Sequence, residues 1–60
     1  MRFLIVYNLV APRMKKVCHW FEEEWELLDF VAEMRELHGV DFKVLVAIEI
    51  LEERKIEGLV

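Results

Sequence analysis

The chain is 60 residues long, 57% apolar and 33% charged, with twelve acids against eight Lys and Arg, a formal net charge of −4 and a pI near 5.0. A domain of this size gains little from burial once the conformational entropy lost, roughly 1.5 kcal/mol per residue, is subtracted, and its single cysteine, Cys18, closes no internal disulfide. Ser, Thr and Gln are absent, which excludes a serine or threonine nucleophile and a phosphate loop with its Mg-binding hydroxyl, while the acidic balance argues against a general nucleic-acid binder.

Arg2 to Val10 is dense in β-branched and aromatic residues, with apolar side chains at both alternations, and predicts a strand covered on both sides. Ala11-Pro12 ends it, because proline offers no N–H to a ladder. Asn8 interrupts the apolar run and no small-residue cleavage site follows, so a buried strand is a better reading than a signal segment.

From Arg13 to His38 there is no Gly, Pro, Asn or Ser. On a helical wheel Met14, Val17, Cys18, Trp20, Phe21, Trp25, Leu27, Leu28, Val31, Ala32 and Met34 fill a broad arc opposite Glu22, Glu23, Glu26, Asp29, Glu33 and Glu36, which predicts one long amphipathic helix. Phe30 and Leu37 intrude on the acidic side and admit a break near Trp25 to Leu28, with Asp29 as the cap of a second piece. An arc wider than half the circumference needs a second packing surface, from the same chain or from another subunit.

Gly39 is placed to end this helix in a left-handed conformation. Val40 to Leu51 then carries two incompatible periodicities. Strict alternation puts Val40, Phe42, Val44, Val46, Ile48 and Ile50 on one face of a strand. Local chemistry favours a helix: Asp41 stands as N-cap, Val40 and Leu45 flank it as a hydrophobic staple, and good helix formers follow to Lys55. The favoured fold is therefore α+β: an N-terminal strand, a long helix, the Gly39 turn, a second helix, and a short C-terminal strand from Ile56 to Val60 pairing with Arg2 to Tyr7. The alternative is a strand–helix–strand unit with Val40 to Ile50 extended.

Leu37 to Gly58, LHGVDFKVLVAIEILEERKIEG, resembles the second half of a winged helix-turn-helix domain, with a helix ending at Gly, a capping Asp and a second helix closing on Leu-Glu-Glu-Arg. That resemblance implies a DNA-binding regulator whose recognition helix would present Lys43, Val46, Glu49, Ile50 and Glu53. One lysine among two acids and two aliphatics is poorly suited to reading base edges. The opening RFLIVY also resembles the first strand of small CRISPR-associated nucleases, but Asn8 stands where that family has a metal-binding Asp.

Charge is uneven: the first twenty-one residues hold four cations and no acid, and the rest hold four cations against all twelve acids. Laying one subunit's basic part on another's acidic part would use this asymmetry. Cys18 and His19, read as helical neighbours, diverge too far to share a metal, and no cofactor is implied. The sequence thus points to a non-enzymatic protein-interaction or oligomerisation module, self-associating through apolar faces that include Trp20, Leu27, Phe30, Met34, Val46 and Ile50. The runner-up is a helix-turn-helix DNA-binding regulator, with Arg13, Lys15, Lys16 and Lys43 as candidate anion or nucleic-acid contacts. High charge with few uncharged polar residues resembles heat-adapted usage. The lone cysteine, the want of an export signal and the lack of any eighteen-residue apolar span predict a cytoplasmic, non-membrane protein.

Overall fold

A computed structural model describes residues 2–59. The fold is α+β, a four-stranded antiparallel sheet with one helix on one of its faces. In chain order the elements are β1 (Phe3–Leu9), β2 (Lys15–Phe21), α1 (Glu24–His38), a 3-10 turn (Gly39–Asp41), β3 (Phe42–Glu49) and β4 (Arg54–Lys55). The sheet order is β2-β1-β3-β4, so the apolar β1 is central, as its composition requires.

Three expectations are corrected. Lys15–Phe21 is a strand and not the start of the long helix; its run Val17-Cys18-His19-Trp20-Phe21 is made of weak helix formers that suit a pleated surface. The break falls at Glu22-Glu23, upstream of Trp25 to Leu28. There the acids favour a helix N-terminus, and the Glu23 backbone N–H donates to Glu26 Oε1 at 3.0 Å in a capping box. Asp29 lies inside α1 and caps nothing.

Second, Val40 to Leu51 holds a strand, Phe42–Glu49, and not a helix. Gly39, at φ 57°, closes α1 and its N–H donates to the Arg35 carbonyl. Asp41 then ends a 3-10 turn instead of capping a helix, and Phe42–Glu49 pairs with β1. Residues 42–49, where the helix-turn-helix resemblance implies a second helix, are the strand β3. Cross-strand burial of Phe42, Ala47 and their neighbours against β1 outweighs an isolated cap and staple.

Third, the C-terminal strand is Arg54–Lys55, which pairs with Ile48 and Glu49 of β3 and not with β1. Of the expected Ile56–Val60 strand, Val60 lies outside the described residues. Ile56 and Leu59 instead turn into the core, held by the Ile56 N–H to the Ala47 carbonyl at 2.8 Å and by Arg35 Nη2 to the Leu59 carbonyl at 2.9 Å.

The core lies between sheet and helix. Phe3, Ile5, Tyr7, Phe42 and Ala47 meet Leu27 and Val31 of α1, with Ile56 and Leu59 closing one side and Leu9, Val17, Phe21, Phe30, Met34 and Val44 packed around them. Five rings, Tyr7, His19, Phe21, Phe30 and Phe42, stand in mutual contact, with Tyr7 and His19 stacked at 5.7 Å and His19 and Phe30 at 5.0 Å. No helix among the described residues is long and apolar enough to cross a membrane.

Candidate functional site

Because α1 covers only one face, the other face of the sheet is open, and its residues follow from register. Across β2, β1 and β3 they form three rows: Lys16–Asn8–Lys43, Cys18–Val6–Val46, and Trp20–Leu4–Ile48, the last extended by Lys55 on β4. Two rows of three are apolar and one is basic; no acid stands among them. Trp20 is 48% exposed and Val46 42%, while Leu4, Val6 and Ile48 are partly exposed.

On β3 this face owes its apolar character to a β-bulge. The register of β3 against β1 shifts between Val6 and Tyr7, where Val46 and Val44 are the respective partners, so Leu45 is the extra residue. Unbroken alternation would have continued from Phe42 and Val44 to bury Val46, Ile48 and Ile50, exposing Ala47 and Glu49. The bulge does the reverse: Ala47 and Glu49 go inward, and three aliphatic side chains go out.

Turning Glu49 inward requires compensation. Its carboxylate accepts from Arg54 Nη2 at 2.8 Å and Nε at 3.1 Å, and from Arg2 Nη2 at 3.0 Å, while Arg54 also reaches Glu24 at 3.0 Å. These contacts fasten β4, the end of β3, the residue before β1 and the first turn of α1 together. Hydrogen bonding from Arg54, helped by Arg2, holds Glu49 below the ordinary carboxylate range although burial opposes it. A carboxylate so saturated is a structural anchor and a poor general base. Burial pushes the Tyr7 phenol up, keeping it protonated.

The sequence-derived surface set divides in two. Trp20, Val46 and Ile50 lie on the open face, Ile50 continuing the outward alternation past β3, where its N–H bonds to the Arg2 carbonyl at 2.8 Å. Leu27 is fully buried in the core, and Phe30 and Met34 are partly buried against it on the helix side of the sheet. Leu4, Val6, Cys18 and Ile48 were missed: in β1 the outward residues look no different from the inward ones, and β2 was assigned to a helix.

The basic candidates gather at one end of the sheet. Lys16 and Lys43 flank Asn8 on the open face, Lys15 pairs with Leu9 in the next position, and Arg13 lies in the connection from β1 to β2. Glu22 and Glu23, after β2, and Glu52 and Glu53, between β3 and β4, mark the opposite end. Cys18 and His19, adjacent on a strand, project to opposite faces, His19 toward the ring cluster. A groove of about 290 Å³ lies beside the bulge, lined by Leu45, Val46, Ala47, Lys55, Ile56 and Glu57. Both sheet edges are blunted, β2 by Lys15 and Lys16 and the other by a two-residue strand.

Neither protein-family models, nor curated proteins, nor solved structures yield a match to this chain.

Proposed function

We propose that this protein is a non-enzymatic interaction module that self-associates, and that the associating surface is the open face of the sheet and not an apolar helix face. The observation that carries this reading is the bulge at Leu45, which sends Val46, Ile48 and Ile50 outward and brings Glu49 in against two arginines. In a two-layer protein left in water that arrangement forfeits burial and costs desolvation. It becomes favourable when a second layer covers the face.

The occupant is a second copy of this chain. The open face bears lysines and no acid, whereas the same chain supplies acids at the far end of its sheet. Three strands about 4.8 Å apart and seven residues rising about 3.3 Å each give a footprint of about 14 by 23 Å. That is small beside the roughly 800 Å² per partner of a standard interface. Association is therefore weak and strongly concentration-dependent.

Sedimentation velocity over a dilution series tests this. The mass should rise from 7.3 kDa towards its double with concentration. Val46→Lys should hold the protein at monomer mass, and Trp25→Lys, on the exposed surface of α1, should leave association unchanged. A folded wild-type monomer at millimolar concentration, or loss of association with Trp25→Lys alone, would overturn the proposal.

A further inference from the structure

Resting on that reading, we infer that the two copies pack with their strands reversed, about a two-fold axis running along the row Cys18–Val6–Val46. Two sheets related by a two-fold axis in their interface have two simple arrangements. With the axis along the strands, each row meets itself. Lys16 of one copy then lies over Lys43 of the other, and both basic ends, with Arg13 and Lys15, coincide. With the axis along the rows, the middle row meets itself and the outer rows exchange.

Charge and chemistry select the second. Exchange places Lys16 over the second copy's Trp20, the arrangement of a cation over an indole face, and Lys43 over its Ile48, whose side chain receives the lysine's alkyl stem. It also carries the basic end of each copy to the acidic end of the other, where Glu22, Glu23, Glu52 and Glu53 lie. Lys55, beside Ile48 on β4, comes one strand away from the second copy's Lys43, with Glu57 two residues on. The middle row is uncharged, Cys18, Val6 and Val46, and self-contact there carries no electrostatic cost.

Reversal of one charge distinguishes the arrangements. With reversed strands, Lys16→Glu removes the contact with Trp20 and sets a carboxylate near the acidic end of the other copy, so the dimer dissociation constant rises about three- to tenfold. With the axis along the strands, the same substitution faces Lys43 and tightens the dimer. A second measurement needs no substitution. Reversed packing puts the two Cys18 residues opposite each other across a sheet spacing of about 10 Å. A bismaleimide with a span of about 8 Å should then join the wild-type dimer at concentrations where it forms, and lose yield in Val46→Lys. The axis along the strands moves the two cysteines apart by a further two strand widths, about 9.6 Å laterally. A dimer that is tightened or unchanged by Lys16→Glu, or that fails to cross-link, overturns the reversed packing and leaves self-association standing. A wild-type protein monomeric at all concentrations refutes the underlying reading instead.

Discussion

Leu27 and Leu28 are adjacent and chemically identical, yet the fold assigns them opposite fates. Leu27 is fully buried and Leu28 is 41% exposed. Which of them faces the sheet fixes the orientation of α1 about its own axis. Leu27→Ala removes the equivalent of three methylenes, about 2.4 kcal/mol at about 0.8 kcal/mol each. The cavity left among Ile5, Phe3 and Val31 adds to this, bringing the loss to about 3–5 kcal/mol. A 60-residue domain at about 0.05–0.15 kcal/mol per residue has about 3–9 kcal/mol in all. Leu27→Ala should therefore leave the protein marginal or unfolded at room temperature. Leu28→Ala loses a partial burial and gains helix propensity, and should cost under about 1 kcal/mol. Urea unfolding followed by circular dichroism measures both, at one fixed low protein concentration because association stabilises the folded state by mass action. Equal effects, or a larger effect at Leu28, would refute the orientation of the helix.

Two further outcomes follow from the contacts around the core. Glu49 has its pKa lowered on folding, so its contribution to stability is fully present above the ordinary carboxylate range and is lost as pH falls through its folded value. Stability of the wild type should thus decline on acidification below about pH 4.5, and more steeply than that of Glu49→Gln, which should be less stable at neutral pH; parallel stability curves for the two would count against the Arg2–Glu49–Arg54 anchor. Arg35→Met removes the donor to the Leu59 carbonyl at a cost of about 1 kcal/mol. Hydrogen exchange at the Ile56 amide should accelerate while that at Ile5 stays slow, and equal acceleration at both would show that residues 56–59 do not open separately.

Much of this fold was legible where one signal acted alone. Arg2 to Val10 had β-branched density on both alternations and a proline stop, and β1 spans Phe3–Leu9. The α+β class and the end of the helix at Gly39 rested on equally local chemistry, and the strand–helix–strand alternative describes the order that forms. The misreadings arose where two signals competed. Lys15–Phe21 carries apolar side chains on both of its faces, Val17 and Phe21 towards the core and Cys18 and Trp20 on the open face, so its alternation of two was hidden beneath a helical arc. The absence of Gly, Pro, Asn and Ser concealed the boundary, which three successive glutamates supplied instead. In β3 alternation was right about the strand and wrong about its faces, because nothing in a run of aliphatic residues announces a bulge at Leu45. Of the surface residues, Trp20, Val46 and Ile50 lie where a partner can reach them. Leu27, Phe30 and Met34 were drawn into the set because an amphipathic arc does not say which of its residues its own sheet will cover.

Coverage of the open sheet face by a second copy can be read from an isotope-filtered NOE experiment on a mixture of labelled and unlabelled protein at a concentration where the dimer forms. Intermolecular contacts are expected from the side chains of Leu4, Val6, Val46 and Ile48, including Val6 to Val6 across the axis, and none from Trp25, Leu28 or Leu37 on α1. Intermolecular contacts confined to those helix residues would contradict it.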